Sequence, residues 1–182
     1  MRELEDRRSN RNPALKSLVD LVIAAFDGDP HQSLSANLRR LKEDDWTAIP
    51  NGGQRTISDI LEHVGWAKWM YEDYAFGSAT LRGDLPPVAA PEGGRSREEL
   101  LAWVRAGHER WLASLRNLPD DAALLEQRLT NWGQRLPTRT IIQIMIGHDF
   151  YHAGEINHLR SLLDGDDRWA HVREVEEQTA ST

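Results

Sequence analysis

The sequence predicts an all-α protein, a four-helix bundle with a crossover connection and extra short helices. Apolar residues recur at helical spacing in several blocks, and Pro and Gly residues separate these blocks. No stretch alternates apolar and polar residues for long enough to build a sheet. Four blocks of roughly 15 to 25 residues are long enough for principal helices, which without a sheet must bury their apolar faces against one another.

The first two blocks lie before residue 51. Asn12 and Pro13 give a helix start, because Asn caps helices and Pro fits the first helical turn. The helix is predicted over about residues 13–26. A second start signal at residues 29–30 precedes leucines at helical spacing, and this block is predicted to end at residues 46–50.

Capping boxes mark the starts of the next two helices. Thr56 is followed by Asp59, and Ser96 by Glu99, so that a hydroxyl and a carboxylate can satisfy otherwise free backbone N–H groups. The predicted ends of these helices are Gly77 and Pro119. The connection between them, residues 78–95, is long and rich in Pro and Gly, which favours a crossover at this point.

The C-terminal part of the chain contains one long helix. Residues 120–136 are ambiguous and are predicted to form a short helix and a loop around Trp132 and Gly133. Pro137 opens the last helix, and Gly165 is its predicted stop. The polar residues that follow are expected to form a surface tail.

Composition and charge exclude several classes of function. The chain has 182 residues, of which 40% are hydrophobic and 28% charged, as expected of one soluble globular domain. The net charge of −7 argues against a nucleic-acid partner, because phosphate binding needs clustered Lys and Arg. No apolar run reaches the roughly 20 residues that span a bilayer, and the charged N-terminus lacks a signal-peptide segment. We therefore expect a cytoplasmic protein with no membrane partner and a small-molecule substrate.

The absence of cysteine limits the chemistry further. Disulfides and thiolate metal sites are excluded, so a metal site must use His, Asp, Glu, backbone or water ligands. A thiol that takes part in a reaction must come from outside the chain. The sequence also lacks the Gly-x-Ser-x-Gly motif of serine hydrolases and a Gly-rich phosphate loop followed by Lys.

Three histidines are candidate metal ligands. His148 and His152 are four residues apart on the last helix, so at about 100° per residue they share a face and can reach one ion. Glu155 lies on nearly the same face. His63, between the apolar Ile60 and Val64 at helical spacing, is predicted to point into the bundle, where such sites usually lie. The alternative is a chance surface pair together with a packed core histidine.

The other histidines carry no assigned role. His158 lies at the edge of the face that carries His148, His108 lies on a core-like face, and His31 lies at a helix start. A fourth, His171, lies in the polar tail.

Two segments resemble helices of the DinB-like family. HDFYHAGEI resembles the His-x3-His-x-Gly-(Gln/Glu)-Ile pattern on the family's last helix, and TISDILEHVGWAKWMYEDYAFG is similar to its second helix with an inward His. The NWG run at residues 131–133 resembles the family's approach to the last helix. The resemblance covers roughly residues 30–165.

This resemblance implies a four-helix bundle, often a homodimer, with one divalent metal ion bound by three histidines. By motif match those ligands are His63, His148 and His152, and Glu155 stands where Gln is common in the family. The chain then divides into an N-terminal helical segment (1–29), the DinB-like bundle (30–165) and a polar C-terminal tail (166–182).

Three histidines leave an open coordination position, as in catalytic sites, and suit Zn, Ni or Fe. Family members with known roles include thiol-dependent transferases and one thiol-dependent isomerase, and others are called hydrolases. The first hypothesis is therefore a thiol S-transferase that joins a low-molecular-weight thiol to an electrophile, with Glu155 or Asp59 as the proton acceptor. The alternatives are a metal hydrolase with Glu155 as general base and a non-catalytic metal or small-ligand binding protein. A di-iron site is disfavoured because a second Glu-x-x-His motif is missing.

Overall fold

The computed structural model describes residues 12–81 and 95–166 of the chain. Within them lie five α-helices: α1 (Pro13–Ile23), α2 (Leu34–Leu38), α3 (Ile57–Phe76), α4 (Arg97–Arg116) and α5 (Thr138–Asp164). The shorter elements are a π-helical turn, two 3-10 turns and two strands: Ala24–Gly28, Asp44–Trp46, Asp121–Leu125, β1 (Gln127–Leu129) and β2 (Arg135–Pro137). The prediction of an all-α bundle with extra short helices is confirmed.

Four of these helices, α1, α3, α4 and α5, form the bundle. Helix α3 packs against both α4 and α5, and α1 packs against the same two helices from the opposite side. Helices α3 and α4 therefore lie side by side, and they run parallel, because Glu62 pairs with Arg95 near their starts and Glu72 pairs with Arg110 nearer their ends. The end of α3 and the start of α4 thus lie at opposite ends of the bundle, as the predicted crossover between them requires. The other two connections join helices that lie diagonally opposite each other in the bundle. Residues 24–56 link α1 to α3, and residues 117–137 link α4 to α5.

The predicted capping boxes are confirmed. The Thr56 side chain accepts a hydrogen bond from the Asp59 backbone N–H, and the Asp59 carboxylate accepts one from the Thr56 backbone N–H. Ser96 and Glu99 make the same reciprocal pair at the start of α4. Helix α5 ends at Gly165, whose φ of 73° is a left-handed conformation that glycine adopts without strain.

The second predicted helix is much shorter than its leucine spacing indicates. Helix α2 ends at Leu38, because Arg39 is extended and Arg40 has a φ of 54°. The guanidinium of Arg160, on α5, donates hydrogen bonds to the carbonyl oxygens of Asn37 and Arg39 at 2.8 and 2.9 Å. A partner outside the helix therefore binds the carbonyls at its C-terminal end, which sequence spacing does not reveal.

The ambiguous segment before α5 contains a small β-hairpin. The expected short helix is present as the 3-10 turn, but β1 and β2 pair antiparallel with Gln127 opposite Pro137. The loop between them includes Gly133, which has a φ of 84°. Each strand has three residues, which is too short for an alternating pattern to show in the sequence.

The buried apolar residues form two clusters along the bundle. The first includes Val64 of α3 and Val104 of α4, and the second includes Trp111 of α4 and Met145 of α5. Between the two clusters, α3, α4 and α5 carry buried polar side chains that form a polar layer, which includes Lys68, His108 and Asp149. This layer lies next to the candidate site described below. In the described part of the chain, no helix is both long and apolar enough to cross a membrane.

Gly65 allows α3 and α4 to approach each other closely. A Cβ atom at this position would lie 2.4 Å from Cζ3 of Trp103 and 2.9 Å from Cγ2 of Val104, which is closer than non-bonded carbon atoms can come. Trp103 is buried in the first cluster and can yield only by moving α4 or its own side chain. The glycine is therefore required by packing.

We expect Gly65→Ala to lower the free energy of unfolding by about 1–3 kcal/mol, although Ala favours a helix over Gly by roughly 1 kcal/mol. Gly154→Ala on α5 is the control, since a Cβ there meets no atom within 4 Å. The control should gain stability of up to about 1 kcal/mol in urea unfolding. Equal gains in the two variants would show that α3 and α4 do not meet at Gly65.

Candidate metal centre

The packing of α3 against α5 brings the three candidate histidines together. His63 lies on α3, and His148 and His152 lie one turn apart on α5. One nitrogen from each ring can be chosen so that all three lie within 4.8 Å of one another, and the group could hold a metal ion. The Nε2 atoms of His63 and His148 are 3.1 Å apart. The juxtaposition expected from the sequence is therefore present.

The spacing of the rings fits a divalent ion with nitrogen ligands. Zinc bonds to imidazole nitrogen at about 2.0–2.1 Å with tetrahedral geometry, which separates two ligand nitrogens by roughly 3.3 Å. The distance of 3.1 Å between the Nε2 atoms of His63 and His148 is close to this separation. The ring centroid of His152 lies 4.4 Å from that of His148 and 4.9 Å from that of His63. The three rings therefore lie close enough together that they could hold one ion.

The three ligands differ in their exposure to solvent. His152 is buried, His148 is half-buried and His63 is exposed. The sequence predicts that His63 points into the bundle, and this is only partly correct. At about 100° per residue, His63 lies about 60° away from Ile60, at the edge of the buried stripe of α3. The cluster therefore lies at the rim of the bundle and opens to solvent on the His63 side.

The surroundings keep two of the imidazoles in the neutral form that binds metals. Burial, followed by the charges of His152, His63 and Lys68, lowers the pKa of His148 to about 3. The pKa of His63 is also lowered, first by the partial desolvation of its ring and then by the charges of His152 and Arg55. At neutral pH the lone pairs of both rings are therefore available to an ion.

Glu155 holds His152 in one orientation. Its Oε2 lies 2.7 Å from Nδ1 of His152, and since a carboxylate accepts hydrogen bonds, Nδ1 carries the proton and Nε2 keeps the lone pair. The guanidinium of Arg55 donates to the other carboxylate oxygen at 3.3 Å. Carboxylates that bind a ligand histidine in this way commonly fix its tautomer in metal sites. Arg55 lies in the loop before α3, and no pattern in the sequence marks it.

Asp59 lies one turn before His63, and its carboxylate serves the start of α3. Its Oδ2 accepts hydrogen bonds from the backbone N–H and the hydroxyl of Thr56, both at 2.8 Å. The side chain is exposed. This is the ordinary structural role of an acidic residue in the first turn of a helix, and a part for Asp59 in catalysis stays a prediction.

The remaining described histidines lie in different surroundings. His108 is buried and stacks on Phe26 with ring centroids 3.8 Å apart and an interplanar angle of 11°. His31 and His158 are exposed. His171 lies outside the described residues.

A buried ion pair lies next to the histidine cluster. The Lys68 ammonium on α3 donates hydrogen bonds to both carboxylate oxygens of Asp149 on α5, each at 2.8 Å. The two side chains are 1% and 2% exposed, and Nδ1 of His108 lies 3.5 Å from the same ammonium. The sequence contained a signal for this pair, because Lys68 and Asp149 follow the core residues Val64 and Met145 by four positions and so continue apolar stripes.

His108 should make the fold sensitive to acid. Burial, followed by the charge of Lys68, lowers its pKa to about 2 from 6.5. The unfolded chain binds a proton at this residue near pH 6.5, so its contribution to stability is complete above that pH and is lost as the pH falls. We expect the loss from this residue to reach about 2 kcal/mol by about pH 5. Urea unfolding of the wild type and of His108→Gln, at about pH 5 and at neutral pH, measures this loss of stability. If both proteins lose the same free energy of unfolding on acidification, the assignment to His108 is contradicted.

The chain was also compared with known proteins. A protein-family model described as the DinB superfamily matches residues 25–156, which include His63, His148, His152 and Glu155. The comparison with curated proteins gave no match.

Proposed function

The chain belongs to the DinB superfamily, and from that membership and the histidine cluster we propose that it is a divalent-metal-dependent enzyme. His63, His148 and His152 are the proposed ligands of one Zn, Ni or Fe ion. The observation that carries the proposal is the convergence of three imidazole nitrogens from α3 and α5 within 4.8 Å of one another, at a site that is open on the His63 side. Three protein ligands leave a position for substrate.

The reaction proposed for this site is the transfer of a low-molecular-weight thiol to an electrophile. An ion bound there would lower the pKa of a coordinated thiol, which then attacks more readily near neutral pH. The S–H proton passes to a base while sulfur forms a bond to the electrophilic carbon and the leaving group departs. Because the chain has no cysteine, the thiol is a separate substrate. The exposed side of the cluster gives it a route of entry.

Two acidic residues are proposed as acceptors of the S–H proton. Glu155 contacts the cluster directly, through its hydrogen bond with His152. Asp59 lies on α3, one turn before His63. Both carboxylate oxygens of Glu155 already have partners, His152 and Arg55. This arrangement favours thiol transfer over hydrolysis, because a thiol gives up its proton more readily than water does and so needs a less available base.

The experiment compares three reactions of protein loaded in turn with Zn, Ni and Fe. The first contains a small thiol and a chloronitrobenzene, the second the electrophile alone, and the third an activated ester without thiol. We expect a metal-dependent rate only where thiol and electrophile are both present, and its loss in His63→Ala. Ester hydrolysis without thiol would instead identify a hydrolase. Metal binding with no turnover in any reaction would identify a binding protein.

Glu155 should strengthen metal binding through His152. We expect Glu155→Ala to weaken zinc binding about 10- to 100-fold, as loss of such partners does in other sites. Glu155→Gln should lose less, because its amide oxygen still accepts a hydrogen bond from Nδ1 of His152. Competition with a zinc-binding dye measures the affinities. Glu62→Ala is the control, since Glu62 is an exposed acid beside His63 that pairs with Arg95. Equal affinities for Glu155→Ala and Glu62→Ala would contradict the role.

The family resemblance also supports a homodimer. The cytoplasmic location stays a prediction from the composition of the sequence. Light scattering coupled to size-exclusion chromatography tests the first proposal. The division into an N-terminal helical segment, a bundle and a polar tail is likewise a proposal, which limited proteolysis with mass spectrometry tests.

A further inference from the structure

The buried pair of Lys68 and Asp149 joins the same two helices that carry the histidine cluster. Lys68 follows His63 by five residues on α3, and Asp149 directly follows His148 on α5. With the rise of about 1.5 Å per residue in a helix, Lys68 lies about 7.5 Å along α3 from His63, and Asp149 lies about 1.5 Å along α5 from His148. We propose that this ion pair is a positioning device, which sets the register of α3 against α5 and thereby the geometry of the proposed metal site.

The pair is constrained from more than one side. The ammonium of Lys68 binds both oxygens of Asp149, so it cannot move along α5 without losing one of two 2.8 Å hydrogen bonds. On its other side the ammonium lies 4.8 Å from the ring centroid of Phe26 and 3.5 Å from Nδ1 of His108. Phe26 and His108 stack on each other. A third and a fourth segment of the chain therefore hold the lysine in place.

The polar layer separates the two apolar clusters. On α3, Lys68 lies between Val64 of the first cluster and Ala75 of the second, and on α5, Asp149 lies between Met145 and Ala153, which belong to different clusters. Apolar contacts alone have no direction and tolerate sliding. A two-point ionic hydrogen bond in the middle of the helices specifies one register.

Stability does not by itself account for such a pair. Removing two charges from water costs free energy, and well-packed apolar residues of similar size often serve a fold as well or better. A slip of one helical turn, about 5.4 Å, would nevertheless leave the apolar faces in contact while it separated His63 from His148. The metal site therefore depends on register more strictly than the core does.

The test replaces the pair by apolar residues of similar size, in the variant Lys68→Met/Asp149→Leu. The matched control is Glu72→Leu/Arg110→Met, which removes another ion pair that joins α3 to a neighbour, in this case α4. Neither control residue touches the histidines in the described structure. Zinc affinity and the visible absorption spectrum of the Co²⁺-loaded protein are measured for both, together with urea unfolding of the metal-free proteins.

The expected result is that the apolar variant folds but binds zinc about 10- to 100-fold more weakly, with altered Co²⁺ bands, because the effect resembles loss of an outer partner of the ligands. The control should keep wild-type affinity and spectrum. Lys68→Arg, which keeps an ion pair with Asp149, should restore most of the affinity. Should the apolar variant fail to fold, Lys68→Gln/Asp149→Asn takes its place with the same expectation.

The proposal rests on the proposed metal site, and the outcomes separate the two. Wild-type protein that binds zinc, with an apolar variant that binds as tightly and gives the same Co²⁺ spectrum, would overturn the positioning role alone. A wild-type protein that binds no metal would overturn both. Weaker binding in the apolar variant and the control alike would show a general effect of lost ion pairs, and would also overturn the positioning role.

Discussion

Wild-type protein purified without chelator should contain close to one divalent ion per chain, and His63→Ala and His152→Ala should contain none. The reason is that a site with three protein ligands loses one of its three metal–nitrogen bonds in each variant. The loss in affinity should exceed the roughly 10- to 100-fold that removal of an outer partner costs. Elemental analysis by mass spectrometry gives the stoichiometry, and zinc competition gives the affinities.

The two variants differ in what else they change. His152 is 3% exposed, so truncation leaves a small cavity and removes the partner of Glu155. His63 is exposed, so His63→Ala should lose the metal with almost no change in the stability of the metal-free protein. His63→Ala is therefore the cleaner test. Its control is His158→Ala, an exposed histidine of α5 whose removal should leave metal content unchanged.

A wild-type protein that stays metal-free after exposure to Zn and Ni would contradict this prediction. Its histidines would then be a hydrogen-bonded cluster, since neutral His63 and His148 can share a proton across the 3.1 Å between their Nε2 atoms. Retention of full metal content in His63→Ala would show that His148 and His152 bind the ion with ligands from elsewhere. Both outcomes are distinguishable from loss of fold by circular dichroism.

The parts of the fold that the sequence predicts well are those with a local physical cause. The starts of α3 and α4 follow from capping boxes, in which Thr56 and Ser96 bind backbone groups only three residues away. The end of α5 follows from the left-handed conformation at Gly165. The end of α2 could not be predicted in this way, because the group that binds its last carbonyls, Arg160, is more than a hundred residues distant.

The candidate site shows the same division. His148 and His152 are paired by helix periodicity, and the family pattern adds His63. The exposure of His63 was not predicted, because apolar neighbours at three residues before and one after define only one side of a helical position. Arg55 was missed for want of any local signal. Lys68 and Asp149 were missed although they continue apolar stripes, where a charged residue indicates a buried partner on another helix.

The second large effect concerns the stability of variants that leave one member of the buried pair alone. We expect Lys68→Met and Asp149→Leu each to lower the free energy of unfolding by about 3–5 kcal/mol, because the remaining charge stays in the core without its partner. The double variant should lie close to the wild type, since both charges and their desolvation are then absent. The two single variants, the double variant and the wild type form a double-mutant cycle that isolates the interaction between the two side chains.

Urea unfolding of the metal-free proteins at neutral pH measures the cycle, with the Glu72→Leu and Arg110→Met variants as the comparison. Arg110 is half-exposed, so its charge can be solvated when Glu72 is removed, and this cycle should give a much smaller coupling. Single substitutions at Lys68 and Asp149 that cost no more than those at Arg110 would mean that water reaches the remaining charge. The polar layer would then be open to solvent, and it could not hold α3 and α5 in one register.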